Sequence, residues 1–272
     1  MYIGRKKSEG TVTMYLTDDG IRLNIKIDRP QKPADRSPLV IVIHGFTGSM
    51  EERHIIAVSK MLNETGFATL RVDMYGHGSS EGRFFDHTLF KWMNNALTVI
   101  DYVRELEWVT DIYLCGHSQG GLTAMLAAGM KHELIKGLIP MSPAIMIPEE
   151  TRNGLLLGAA FDPEHIPDRI ANQDYKWEIS GNYARTAQMI HVDDAIQRYR
   201  GPVLLVHGTA DESVPVACSI AAQKSYENAE LALISGDSHC YDHHLDEAVE
   251  AVRIWMVGLL QREFQRKTGQ DR

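Results

Sequence analysis

Between an apolar run, Ile112 to Cys115, and a helical stretch starting near Gly120, the chain places Gly116-His117-Ser118-Gln119-Gly120, and no other feature constrains the fold as strongly. A chain that leaves a strand and enters a helix without a loop must turn sharply, and the residue at the apex takes a strained conformation. Glycines on either side leave room for that turn. The pattern predicts that Ser118 Oγ projects from the end of a sheet, near the positive end of a helix. Five-residue matches of this kind also occur as accidental glycine-rich turns, and it is the flanking strand and helix that separate this one from them.

The rest of the chain repeats the same alternation. Residues 10 to 28 alternate apolar and polar positions around Asp18-Asp19-Gly20, which predicts a hairpin. Residues 29 to 38, rich in proline and charge, read as an exposed loop. The run Leu39-Val40-Ile41-Val42-Ile43 then has the continuous apolar character of a strand buried on both faces of a parallel sheet. Helical segments are expected near 52 to 65, 88 to 107 and 120 to 130, and strands at 67 to 72, 111 to 115, 135 to 141, 202 to 207 and 230 to 234. A final helix, Asp246 to Arg266, carries Val249, Val252, Met256 and Leu259 at helical spacing.

Residues 142 to 200 break the rhythm. They contain several prolines, no good strand, and amphipathic helical stretches at Thr151 to Ala160 and Tyr183 to Arg198. Sixty residues exceed an ordinary loop, so the segment is expected to be a helical lid over the carboxyl edge of the sheet, where open α/β sheets bind ligands. At 272 residues the whole chain, 1 to 272, reads as one α/β domain with this insertion.

Composition narrows the partners. A net charge of −8, with no basic stripe, argues against nucleic acid. No apolar run approaches the roughly 18 to 20 residues that span a bilayer, and the basic N-terminal stretch has no apolar segment after it, so the chain reads as soluble and unprocessed. Three widely spaced cysteines, Cys115, Cys218 and Cys240, do not form a disulfide framework, which favours a cytoplasmic location.

A free serine hydroxyl is a weak nucleophile at neutral pH, so Ser118 needs a histidine base and an acid to orient it. On a sheet of this kind these follow later in the chain, acid first, each on a loop after a strand. Asp211 lies just past the strand that ends at His207, and the D-x-x-V-P pattern favours it over its neighbour Glu212. After the next strand come His239, His243 and His244; His239 lies nearest the strand end, whereas the other two approach the last helix. A rival reading joins His239, Cys240, His243 and His244 as zinc ligands, although a second ligand cluster is missing. Asp73 and His77, after another strand, read as turn residues. For the anionic intermediate, the backbone N–H groups of Gln119 and of Phe46, in His44-Gly45-Phe46-Thr47-Gly48, are the candidate donors, which leaves both side chains free to vary.

With these residues in place the sequence resembles the bacterial cinnamoyl (feruloyl) esterases of the α/β-hydrolase superfamily. The likeness runs over nearly the whole chain, through HGFTG at 44 to 48, EERHI at 51 to 55, DMYGHG at 73 to 78, DHTLFKW at 86 to 92, GHSQGG at 116 to 121 and GDSHCYDHH at 236 to 244. GHSQGG alone is common to the superfamily; EERHI, DHTLFKW and HCYDHH are narrower. The resemblance implies Ser118 as nucleophile, Asp211 as acid, His239 rather than the other two histidines as base, and oxyanion amides at Phe46 and Gln119. It also implies a small lid between the sixth and seventh core strands. Within that lid Glu150 and Tyr183 are offered as polar contacts for a phenolic acyl group. The expected activity is hydrolysis of hydroxycinnamate esters through an acyl-enzyme, with a small-molecule ester as partner, no cofactor and no metal, and a homodimer left open. A generalist carboxylesterase or monoacylglycerol lipase is the alternative among enzymes, and a hydrolase-fold binding protein without catalysis the alternative outside them.

Overall fold

The computed structural model describes residues 3–8, 11–30, 32 and 34–269. The chain opens with three antiparallel strands, β1 (Ile3–Ser8), β2 (Thr11–Asp18) and β3 (Ile21–Asp28). It continues through β4 (Ser37–Ile43), α1 (Arg53–Glu64), β5 (Ala68–Val72), α2 (Leu89–Arg104), β6 (Val109–His117), α3 (Gln119–Met130) and β7 (Ile135–Met141). The insertion then supplies α4 (Ile147–Arg152), β8 (Leu155–Leu156), β9 (Ala159–Ala160), β10 (Arg169–Asn172), β11 (Trp177–Ser180), α5 (Asn182–Ala187) and α6 (Val192–Arg198). The sheet resumes with β12 (Val203–Gly208), α7 (Ala217–Ser225), β13 (Ala229–Ile234) and α8 (Leu245–Thr268).

Among the described residues nine strands pair in the order β1-β2-β3-β5-β4-β6-β7-β12-β13. From β5 to β13 every pairing is parallel, and β3 meets β5 antiparallel. The fold is therefore the α/β-hydrolase fold, with the hairpin at one edge. Its turn bends where expected: Asp19 has φ 47° and Gly20 φ 77°, the left-handed pair that a two-residue hairpin requires. The carboxylate of Asp18 then accepts hydrogen bonds from Asn94 (2.7 Å), Asn95 (2.5 Å) and Thr98 (2.9 Å), which ties the hairpin to α2.

The residues of β4 explain why it sits in the middle. Leu39, Ile41 and Ile43 face a core shared with α2 and α3, including Trp92, Val99 and Ala124. Val40 and Val42 face the opposite core, against Ile55 and Val58 of α1 and Val252 and Met256 of α8. All five are completely buried, which is what a continuous apolar run in a two-sided sheet demands. On one side of β4 lies the strand that follows it, β5; on the other lies β6, reached by a crossover. The chain thus reverses direction between β4 and β6, and the loops leaving their carboxyl ends open a crevice.

The insertion departs from the all-helical expectation. Helix α4 stops at Arg152, and Gly154 (φ 75°), Leu157 (φ 44°) and Gly158 (φ 84°) turn the chain into β8 and β9, so Thr151 to Ala160 is not one helix. A second hairpin pairs β10 with β11, Arg169 opposite Ser180. Its alternation, with Ile170, Trp177 and Ile179 buried, spans four residues per strand, too few to stand out by periodicity. The stretch from Tyr183 to Arg198 divides into α5 and α6. Ile147, Leu156, Ile170, Ile179 and Ala187 of the insertion pack with Leu122 and Leu126 of α3 in a third core, while Ile196 and Tyr199 join the first. The insertion lies between the seventh and eighth strands of the main sheet, because the chain carries an additional N-terminal strand, β1, that the alternation did not announce; α7 was likewise unassigned. Among the described residues no helix is long and apolar enough to cross a membrane.

Candidate active site

Ser118 stands alone between β6 and α3 with φ 55° and ψ −120°, the strained apex expected of a strand that passes directly into a helix. The glycines around it are sterically necessary. A Cβ added to Gly116 would lie 2.2 Å from the carbonyl oxygen of Gly120, and one added to Gly120 would lie 2.2 Å from the carbonyl oxygen of His44. Backbone bonds hold the apex to β7 and the start of the insertion: Ser118 N–H donates to Met141 O (2.9 Å), and Ser118 O accepts from Ala144 N–H (3.0 Å).

Asp211 follows β12 and is reached from the loop after β13. Its Oδ2 is 2.8 Å from His239 Nδ1, while Oδ1 accepts the N–H groups of Ser213 (2.9 Å) and Val214 (2.8 Å). Burial alone would push this carboxyl up; the hydrogen bonds from His207 and His239, and that from the Val214 amide, outweigh it and hold the group well below the usual carboxylate range. Glu212 makes a different contact: its Oε2 lies 3.4 Å from the backbone N of His239. His243 and His244 donate their backbone N–H groups to Asp237 (3.0 and 3.1 Å), and the His244 ring lies 3.4 Å from Glu247 Oε1. With Cys240 they do not converge on a common point, and among the described residues no group of three or more such side chains is arranged to hold a metal ion.

His239 and Ser118 line one cavity of about 340 Å³, within the range of small-molecule sites, although no hydrogen bond joins Ser118 Oγ to the imidazole among the described residues. Phe46, Met146, Leu157, Tyr175, Trp177 and Val214 give it an apolar and aromatic wall. Glu52, Glu150 and Glu212 also line it. Burial raises the carboxyl of Glu150, whose Oε2 is buried without a hydrogen-bond partner.

Gln119 is the first residue of α3, where a backbone N–H has no acceptor within the helix, and Phe46 follows β4 on the other side of the crevice. Their side chains are not free to vary as the backbone role alone suggested. Gln119 is fully buried and its Oε1 accepts the hydroxyl of Tyr183 at 2.6 Å. The Phe46 ring packs edge-on against Trp177 (5.4 Å) and Phe84 (5.4 Å) and lies 5.1 Å from His87. Tyr183, offered as a contact to the substrate, is itself completely buried and presents its hydroxyl to Gln119 instead of to the cavity.

Two histidines in the neighbourhood were not singled out from the sequence. His117 Nε2–H donates to the backbone carbonyl of His239 (2.8 Å), and the two rings are 4.6 Å apart. Burial holds His117 well below the ordinary histidine value, so it remains neutral and acts as a fixed donor. His207, at the end of β12, lies 3.1 Å from Asp211 Oδ2. In the sequence His117 is only a variable position inside a motif, and His207 only the polar end of an apolar strand; neither carries a spacing signal.

Comparison with known proteins places the geometry among relatives. A family model described as serine aminopeptidase, S33, matches residues 34–187. The structure of Est1E from Butyrivibrio proteoclasticus with ferulic acid bound superimposes with a TM-score of 0.89 at 55% identity, covering 91% of this chain and 99% of that one. The mouse palmitoyl-protein thioesterase ABHD10, mitochondrial, is 27% identical over 191 residues, 66% of this chain and 61% of that protein, so the match spans less than two thirds of its length. A solved mouse ABHD10 structure, 18% identical with a TM-score of 0.71, shares the fold.

Proposed function

The chain belongs to this serine hydrolase family of the α/β-hydrolase superfamily and is a serine esterase, and we propose that it cleaves hydroxycinnamate esters with Ser118 as nucleophile, His239 as base and Asp211 as the orienting acid. The observation that carries the assignment of roles is the 2.8 Å contact between Asp211 Oδ2 and His239 Nδ1 beside the cavity that also receives Ser118. A carboxylate on Nδ1 fixes that nitrogen as N–H and leaves Nε2 as the lone-pair side that can take a proton.

In the proposed reaction Ser118 Oγ attacks the ester carbonyl while His239 Nε2 takes its proton; hydrogen bonds of this kind often tighten only once substrate is seated. The backbone N–H groups of Phe46 and Gln119 stabilise the tetrahedral oxyanion, a contribution of about 2.7–4 kcal/mol for each such donor. His239 passes its proton to the departing alcohol; a water, giving a proton to His239, then attacks the acyl carbonyl, and as the bond to Ser118 Oγ breaks that proton returns to the serine and the carboxylic acid is released. None of these steps calls on a cofactor.

The acyl preference is supported by the aromatic wall of Phe46, Tyr175 and Trp177 and by the ferulic acid bound in the Butyrivibrio protein. Glu150, its Oε2 lacking a partner, is the polar group we assign to the phenolic end of the acyl chain. We read residues 1 to 272 as one domain, with 142 to 200 as its lid, working in a reducing compartment that suits three free cysteines. The decisive experiment compares wild type and Ser118→Ala on methyl ferulate and on short aliphatic esters. The expected result is loss of turnover in the variant with an unchanged fold, and a higher kcat/KM of the wild type on methyl ferulate; an active Ser118→Ala protein would remove the serine mechanism, and a preference for the aliphatic ester would remove the substrate class.

A further inference from the structure

We propose that His207 is a positioning residue that sets the strength of the base through Asp211, an inference that rests on the reading of Asp211 and His239 as acid and base. His207 is completely buried at the end of β12, four residues before Asp211. Its Nε2 lies 3.0 Å from the carbonyl oxygen of Val214 and 3.1 Å from Asp211 Oδ2. Both are acceptors, so Nε2 carries a proton, which is hydrogen-bonded to Val214 O and lies beside Asp211 Oδ2. Its Nδ1 lies 2.7 Å from Ser219 Oγ on α7, and that hydroxyl, also buried, can turn to donate to it. Three partners therefore fix the ring with an N–H at Nε2.

The same atom of Asp211 serves two imidazoles. Oδ2 is bonded to His239 Nδ1 at 2.8 Å and lies 3.1 Å from His207 Nε2, while Oδ1 is occupied by two backbone amides. A carboxylate oxygen that is already partly neutralised by one N–H attracts a second less strongly. By drawing on the same oxygen, His207 limits how strongly Asp211 can hold the N–H of His239. By bonding Val214 O as well as Asp211, it also clamps both ends of the loop that carries the acid. The other ionisable groups that face His239 are Glu52 and His54 from the start of α1, His117 from β6 and Glu212 beside the acid. His207 differs from all four in acting on the oxygen that His239 uses.

The test measures kcat, KM and the pH dependence of kcat/KM on methyl ferulate for His207→Leu and His207→Gln. Leucine removes the N–H; glutamine places an amide N–H near the Nε2 position. We expect His207→Leu to lose about tenfold in kcat with KM little changed and to move the acid limb of the profile up by about half a unit, and His207→Gln to restore most of both. An unshifted limb in His207→Leu, or a glutamine variant as impaired as leucine, would mean that the ring only fills space and would overturn the proposal. Should His207→Leu not fold, nitrogen-15 spectra of histidine-labelled wild type, assigned against His207→Gln, decide instead. The expected state carries a proton on Nε2, and an Nδ1–H tautomer would be fatal. Asp211→Asn is measured in parallel: full activity there would remove the acid itself, a failure distinct from that of His207.

Discussion

The hydroxyl of Tyr183, on a helix of the insertion, donates to Oε1 of Gln119, the residue that follows Ser118, over 2.6 Å. The insertion is thereby fastened to the turn at Ser118 through a side chain whose own backbone N–H is a proposed oxyanion donor. Replacing Tyr183 by Phe leaves a buried acceptor unpaired at a cost of about 1–3 kcal/mol, so the melting temperature should fall. Because the amide of Gln119 loses its fixed position, we also expect kcat on methyl ferulate to drop roughly 5- to 20-fold, part of the effect of deleting a whole donor. Thermal melts and steady-state kinetics on the one variant check both, and a full kcat with a lowered melting temperature would confine Tyr183 to stability.

Asp211 and Glu212 are adjacent carboxylates, but only the first touches the His239 ring. Asp211→Asn should leave the imidazole in the wrong tautomer and lower kcat by about 10⁴, as loss of the orienting carboxylate does elsewhere. Glu212→Gln should change kcat less than about threefold, because its contact is a long one to the backbone at the cavity rim. Equal losses in the two variants would show that the acid has been misassigned.

Gly120 and Gly258 make a contrasting pair. An added Cβ at Gly120 would sit 2.2 Å from His44 O and 2.5 Å from Ile43 O, and neither backbone can retreat without displacing β4. Gly120→Ala should therefore lose more than about 3 kcal/mol or fail to fold. Gly258, inside α8, has only an Arg262 side-chain nitrogen at 3.6 Å. Gly258→Ala should gain up to about 1 kcal/mol, since a helix-interior glycine is replaced by a better helix former. Chemical denaturation of both variants gives the two signs directly.

Several buried histidines are held neutral. Burial, aided by the neighbouring His77, takes His44 down to about 3. Burial also takes His87 to about 3 and His54 to about 4. His44 shows why: Nδ1 lies 2.8 Å from Gly45 O, and Nε2 accepts the N–H of Met74 at 3.0 Å, a bond that a second ring proton would break. In the unfolded chain these rings take up protons near pH 6.5. Between about pH 6.5 and about pH 3 the unfolded state binds more protons than the folded one, so stability is full above that window and is lost as pH falls through it. Melting temperatures measured from pH 7.5 to 4.5 should decline steadily below 6.5, and a flat profile would show that the folded protein accommodates the charged rings.

Much of the scaffold could be read from local pattern. The run Leu39 to Ile43 announces a two-sided strand because every residue in it must be buried, and Gly116 and Gly120 announce the elbow because no larger residue fits there. Asp211 and His239 were accessible through chain order, each lying on a loop that follows a strand. The insertion was legible as an interruption but not in its contents: hairpins of two and four residues per strand are too short for a period to emerge, and their pairing is stabilised by a core shared with α3.

What the linear chain determined by itself is the alternation of strand and helix, the place of Ser118 at a forced turn, and the supply of a carboxylate and then an imidazole on loops that follow strands, because these follow from burial periodicity and steric necessity within a few residues of each position. The tertiary structure alone decided that Asp211 Oδ2 is shared by His207 and His239, that His117 holds the backbone of His239, and that Tyr183 grips Gln119 and not a ligand. Each of these contacts depends on a hydrogen-bond geometry between groups brought together by sheet order and loop path. Hydrogen bonds lose most of their strength within an ångström or a few tens of degrees, a resolution that residue type and spacing do not carry.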